Sequence, residues 1–318
     1  MKPRIDKVIH LITHPIVKLL VFALIIFYII SNDTIDLKRL SSLMKAEVWL
    51  ELLLIGLIYE VLKALRLKII FASNELHFSL RFCLCLVFIS HFLNNFFWGQ
   101  AGGLVSKVFY VSSLKGASAF KITRAFFLEI YAGLIVTLAI LVVLLLRVEF
   151  SDKSLQENLL VLISLLLLAS LLIPLSSRLV KKISFRFGNY SLKELIDLKT
   201  LKDWRVYLLF TITYGLKALL LLTAGRAIYG DKVLTYFENF TVFLAGQFIS
   251  LIPVGPSGAG SGHLGFNFLA QRLSGIDNNY GSDIFSAFWT THFIFGLMGG
   301  VLFLLSKRKK TDEFFEKK

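Results

Sequence analysis

The sequence predicts an all-α polytopic membrane protein, with about six full transmembrane helices plus two re-entrant helical hairpins arranged as an inverted repeat. Three observations carry this. The 318 residues are 56% hydrophobic, with a mean hydropathy of +0.72 and several apolar runs near the ~20 residues that span a bilayer. The net charge of +14 gathers in short loops and the tail, the pattern of positive cytoplasmic loops. Two glycine-broken segments, Asn94–Gly103 and Pro253–Gly262, interrupt apolar stretches, one in each half of the chain. Lipid leaves free backbone N–H and C=O groups unsatisfied, so such breaks are tolerated at depth only inside protein or along a cavity.

The expected membrane segments are Ile16–Ser31, Glu47–Leu65, Leu80–Trp98, Arg124–Leu146, Leu159–Leu175, Trp204–Ala224, Thr235–Ile252 and Ile284–Ser306. Met1-Lys2-Pro3-Arg4 precedes the first of them without an Ala-x-Ala-type cleavage site, which reads as a retained helix. Membrane segments use up most of the length, so 1–318 is expected to be a single integral membrane domain. Cys83 and Cys85 lie two apart, ~200° around a helix, and face away from each other. No basic module with base-reading signatures exists, so nucleic acid is not an expected partner.

Charge sets the orientation. The stretch 178–205 holds eight Lys and Arg against three acidic residues, and Lys307-Arg308-Lys309-Lys310 opens the tail 307–318. Both are expected to be cytoplasmic, with the N- and C-termini on that side. Lys63, Arg66, Lys68 and Arg81 before the first break, and Lys107, Lys115, Lys121 and Arg124 after it, also belong inside. Both loops are cytoplasmic only if the intervening segment enters, breaks at Gly99–Gly103 and returns. The same argument makes Pro253–Gly262 the tip of a hairpin from the opposite side. The repeats then run over roughly 47–146 and 204–306.

Half-helices starting near Gly103 and Gly262 would bring unpaired N–H groups and positive dipole ends to the bilayer middle, a site suited to phosphate. Lys107 follows Gly103 by one turn, His263 opens the second half-helix, and Ser257 and Ser261 add hydroxyls. Glu129 is placed to pair with a cation such as Lys107. Lys217 has no acidic residue in its own helix, and either an anionic ligand or a distant carboxylate would satisfy it. Glu60 and Lys63 share a helical face; Lys63 and Arg66, near a helix end, are expected to snorkel. His91, Gln247 and His292 read as helix–helix hydrogen-bonding residues. No metal-ligand spacing, phosphate loop or nucleophile elbow occurs, so no metal, no cofactor and no catalytic residue is expected.

These residues resemble a known family. Asn94 or Asn95 followed by Gly99, Gly103 and Lys107 resembles an Asn-x-x-x-Pro-Gly-x-x-Gly-Glu-x-x-Arg pattern. Ile252 to Gly260 resembles a Pro-x-Pro-Gly-Gly-x-Gly-x-x-Glu signature. Both resemble motifs of the lysylphosphatidylglycerol synthase transmembrane-domain family of flippase-like proteins. Trp98 stands where that family has proline, Leu104 where it has an acidic residue, and Lys107 where it has arginine. The soluble aminoacyl transferase domain of the full synthases is not among these residues, so lipid aminoacylation is not implied.

The expected function is a flippase-like transporter that moves a phospho- or polyprenyl-phosphate lipid between leaflets of a bacterial inner membrane. Its expected phosphate-binding residues are Gly99, Gly103, Lys107, Glu129, Lys217, Ser257, Gly258, Gly260, Gly262 and His263. Anionic membrane lipids are the expected partners, with a homo-oligomer or an envelope-synthesis protein left open. Two alternatives stand beside this: a membrane-embedded lipid transferase using His263, His91 or Glu129 as base, and a non-transporting scaffold.

Overall fold

The computed structural model describes residues 45–96, 107–108, 110–112, 118–150, 152–175, 186–187, 190–191, 201–250, 261–274 and 279–308. The expected first helix Ile16–Ser31, residues 97–103 and 253–260 of the two glycine-broken segments and the tail beyond Arg308 lie outside them. So do Gly99, Gly103, Ser257, Gly258 and Gly260.

Eight helices carry the described fold: α1 (Ala46–Ser73), α2 (Leu80–Phe96), α3 (Ala119–Arg147), α4 (Lys153–Leu175), α5 (Trp204–Tyr229), α6 (Tyr236–Ser250), α7 (Ser261–Ser274) and α8 (Tyr280–Arg308). Lys107, Val108 and Tyr110–Ser112 are also helical. Between α4 and α5, β1 (Arg186–Phe187) pairs antiparallel with β2 (Tyr190–Ser191), a two-residue hairpin inside the basic stretch. The chain is otherwise helical among the described residues.

Among the described residues, four helices are long and apolar enough to cross a membrane: Ala119–Arg147, Lys153–Leu172, Trp204–Tyr229 and Tyr280–Leu305. Of the rest, α1 is long but carries Glu60, Lys63, Arg66 and Lys68, and α2 has 17 residues. With 15 and 14 residues, α6 and α7 reach about 22 and 21 Å, less than a ~30 Å hydrocarbon core.

Local chemistry fixes several helix ends. Asp203 caps α5 by accepting from the Arg205 N–H, and Gly230 closes it with φ of 66°, a left-handed geometry that favours glycine. The Gln156 side chain donates to the Leu145 and Val148 carbonyls, at 2.6 and 2.7 Å, and so ties the short α3–α4 turn.

Around an apolar core, the outer surface is apolar where a water-soluble protein would be polar. Leu50, Leu54, Leu57 and Ile58 on α1 and Val161, Leu162, Leu165 and Leu168 on α4 are exposed, while Glu60, Arg66 and Lys217 are buried. Apolar side chains facing outward and charges facing inward suit a bilayer as solvent. The protein is an all-α integral membrane protein.

The helices pair in a definite pattern. α1 packs on α5, α2 on α8 and α3 on α6; α1 also packs on α2, α5 on α6, and α7 lies between α6 and α8. α4 packs on α3. Glycine permits two of the closest approaches. A Cβ on Gly299 would lie 2.0 Å from the Phe88 carbonyl oxygen of α2, and one on Gly281 would lie 2.1 Å from the Phe266 carbonyl oxygen of α7. Small residues that let backbones meet are the usual device of membrane helix interfaces.

Candidate functional site

A cavity of about 350 Å³ opens between α1, α2, α3, α5, α6 and α8. Its wall is built from parts far apart in sequence: Lys63 and Arg66 from α1, His91 from α2, Lys107, Glu129 from α3, Lys217 from α5, and His292 from α8. Tyr59, Phe126, Phe210, Phe288 and Trp289 supply apolar surface.

Arg66 is the most tightly held cation. Its Nη2 donates to Glu129 Oε1 and its Nη1 to Thr213 Oγ1, each at 3.1 Å, and its guanidinium lies 3.6 Å from the Phe210 ring centroid. The expectation that Arg66 snorkels is overturned. α1 runs to Ser73, seven residues or ~10 Å beyond Arg66, instead of ending near Leu65. Arg66 therefore sits in the helix interior, facing α3 and α5. Glu129, expected to pair with Lys107, makes its ion pair with Arg66.

A second cluster links α1 and α2. Glu60 is fully buried, with Oε1 2.7 Å from His91 Nε2 and Oε2 3.7 Å from Lys63 Nζ. Lys63 Nζ also lies 3.4 Å from His91 Nε2. The expected Glu60–Lys63 pairing is thus present and extended by His91, which bridges helices as read from the sequence. His292 instead donates Nδ1–H to the Phe288 carbonyl of its own helix at 2.9 Å, and its Nε2 has no hydrogen-bond partner among the described residues.

One donor atom each from Glu60, His91 and His292 lie within 4.8 Å of one another, a composition that can hold a metal ion. The Lys63 ammonium lies against the Glu60 and His91 donors, so the cation of this cluster is the lysine itself. The trio is not assigned as a metal site.

Lys217 is buried and caged by aromatic faces. Its Nζ lies 4.7 Å from the Tyr59 ring centroid, 5.1 Å from that of Phe243 and 5.2 Å from that of Phe288. Cation–π attraction offsets part of the desolvation cost. Among the described residues, neither Lys107 nor Lys217 is ion-paired. Around the cavity, the cations Lys63, Arg66, Lys107 and Lys217 outnumber the carboxylates Glu60 and Glu129. The described wall of the cavity therefore carries more basic than acidic side chains.

Residues 16–309 match the family described as Lysylphosphatidylglycerol synthase TM region. The chain belongs to that family. No curated protein and no solved structure matches it.

Of the sequence-selected residues, the fold brings Lys107, Glu129 and Lys217 to one cavity. Gly262 and His263 are elsewhere. A Cβ on Gly262 would lie 2.2 Å from the Phe285 ring, so its smallness permits α7 to pack on α8. His263 Nε2 lies 3.0 Å from Ser286 Oγ, whose own hydrogen goes to the Ser282 carbonyl; the imidazole therefore donates. Sequence reasoning did not place Arg66, His91 and His292 at the site. The only signal available was their ionisable character inside apolar stretches.

Proposed function

We propose that this family member moves a phosphate-bearing lipid between leaflets, holding the head group in the cationic cavity. The carrying observation is the pair Lys107 and Lys217, two cations on the cavity wall without an ion-pair partner among the described residues. A phosphate between them would satisfy charges that are otherwise costly at this depth. Aromatic and apolar wall residues suit the glycerol or polyprenyl portion adjoining it. Gly99, Gly103, Ser257, Gly258 and Gly260 are kept as head-group candidates from the sequence; Gly262 and His263 support the site from behind through α8.

The pairing pattern supports six spans, two re-entrant hairpins and an inverted repeat. Exchanging α1 with α5, α2 with α6 and α3 with α8 maps the contacts α1–α5, α2–α8 and α3–α6 onto one another. It also maps α1–α2 onto α5–α6 and α1–α3 onto α5–α8. The short α6 and α7, packed on each other, suit one hairpin; α2 and the helical residues at 107–112 suit the other. Rocking one repeat against the other would expose the cavity alternately. The basic stretches 178–205 and 307–318 favour cytoplasmic termini in a bacterial inner membrane.

The test is leaflet-resolved movement of labelled phosphatidylglycerol and polyprenyl phosphate in proteoliposomes, for the wild type and Lys107→Ala. Movement that needs Lys107 supports the reading. Equal movement by folded variant and wild type sinks the site assignment.

One observation favours a second reading. Glu60 and His91 form a carboxylate–imidazole pair beside the cavity, as a general base requires. A lipid transferase would yield a covalently altered lipid, which mass spectrometry of the same vesicles detects.

A further inference from the structure

The cavity contains a nitrogen whose role the proposed head-group site does not use. His292 lies on α8 and lines the cavity. Its Nδ1–H is committed to the Phe288 carbonyl, since a carbonyl can only accept. That bond fixes the tautomer and leaves Nε2 as the atom able to take a proton. Nε2 is buried and has no hydrogen-bond partner among the described residues.

The charges around this ring come from every neighbouring element. α1 presents Tyr59, Glu60, Lys63 and Arg66; α2 presents His91, whose ring centroid is 5.1 Å from that of His292. Lys107 and, from α3, Glu129 lie on the same wall, as do Tyr214 and Lys217 of α5. α6 contributes the neutral Gln247. On α7, His263 is turned to Ser286, and on α8 itself Asp283 accepts from the Tyr229 hydroxyl nine residues away. Lys217 and His292 meet opposite parts of one side chain: Phe288 lies 5.2 Å from the Lys217 ammonium and 4.1 Å, centroid to centroid, from the His292 imidazole.

We infer that binding of a phosphate-bearing head group in this cavity takes up a proton from solvent at His292 Nε2. The inference rests on the head-group reading above. In the empty cavity an added proton faces four cations and two carboxylates. A bound phosphate supplies the missing negative charge, so each of proton and phosphate strengthens binding of the other. Linkage makes this reciprocal: if phosphate favours the proton, acid must favour phosphate by the same factor. The proton adds to the Nε2 lone pair and gives an imidazolium that still donates through Nδ1. Loading the cavity thereby loads a proton, and release of the lipid on the other side releases it.

The experiment is calorimetric titration of the purified full chain in detergent with dihexanoyl phosphatidylglycerol, in two buffers of different ionisation enthalpy, between pH 5 and 8. Inorganic phosphate serves as a second probe. The expected result is uptake of up to about one proton per bound lipid, with affinity rising as pH falls by up to about tenfold per unit. His292→Asn, which keeps a donor for the Phe288 carbonyl, should bind without uptake and without pH dependence. His77→Asn, at an exposed position away from the cavity, should behave as wild type.

Lipid binding by the wild type without uptake overturns the inference and leaves the head-group reading standing, whatever the variants do. Uptake that persists in His292→Asn, or is lost only in His91→Asn, overturns the assignment to His292. Uptake with inorganic phosphate but none with the lipid overturns the coupling to lipid. No binding of either probe at any pH overturns the head-group reading and this inference together.

Discussion

Arg66 on α1 and Glu129 on α3 are joined across the bundle, Nη2 to Oε1 at 3.1 Å, with the guanidinium seated over Phe210. The two residues are 63 positions apart, and their bond connects the helix that carries Glu60 and Lys63 to the far wall of the cavity.

Removing Arg66 alone strands the Glu129 carboxylate in a poorly hydrated space, while the Thr213 hydroxyl keeps its bond to the Phe210 carbonyl. Arg66→Leu is expected to destabilise the protein by about 3 kcal/mol, the range for breaking a buried pair from one side. Adding Glu129→Gln should recover a substantial part. A double-mutant cycle of thermal unfolding in detergent measures this, and strictly additive losses would show that the pair is not coupled.

Lys217 should behave oppositely. A buried ammonium held by rings costs stability, so Lys217→Met is expected to leave the unfolding temperature unchanged or raised. Binding of dihexanoyl phosphatidylglycerol should fall by at least about tenfold, the scale of one lost charge-assisted contact. Retained affinity with a large loss of stability would make Lys217 a structural residue.

Gly299 meets main chain, not a movable side chain. Gly299→Ala puts a methyl 2.0 Å from the Phe88 carbonyl oxygen, and the α2–α8 seam must part. A loss of about 1–3 kcal/mol is expected, as for other overpacked interfaces. Gly230→Ala has open space around it but a positive φ, so its smaller cost of about 1 kcal/mol should come from backbone strain alone. Equal losses at the two sites would contradict the contact argument.

Asp203 caps α5, and its hydrogen bonds from Arg205 hold its carboxyl below the usual range. A depressed carboxyl stabilises above its unfolded value of about 3.9, and the benefit is lost as pH falls through the lower folded value. Asp203→Ala is expected to cost about 1 kcal/mol near neutral pH. The gap between variant and wild type should close below about pH 3.9 in unfolding scans; a gap constant with pH would exclude the cap as its source.

The membrane class and the family were legible because each depends on residue type and spacing along the chain. Pairings across helices were not. Glu60 and Lys63 share a face and could be read; Glu60 with His91, and Arg66 with Glu129, depend on which helices adjoin, which periodicity does not encode. Arg66 was misread because helix length was taken from hydropathy, and α1 continues through Lys68 to Ser73 on polar as well as apolar residues. Gly262 was read as a ligand-facing terminus, whereas its contact with the Phe285 ring follows from the α7–α8 packing, unknown until both helices are placed.

The two glycine contacts of α8 carry a mechanical consequence. Gly281 and Gly299 are 18 residues apart, about 27 Å along the axis, and each sets the α8 backbone directly on another backbone, α7 at one and α2 at the other. Contacts made through long side chains yield by changing rotamer; carbonyl oxygens pressed on glycine have no such slack. α8 is thereby a strut pinned at two points, unable to slip lengthwise past either neighbour. Rocking of one repeat against the other must therefore pivot about the α2–α8 contact at Gly299, while α7 and α8 travel together and the strain falls on the connections between helices.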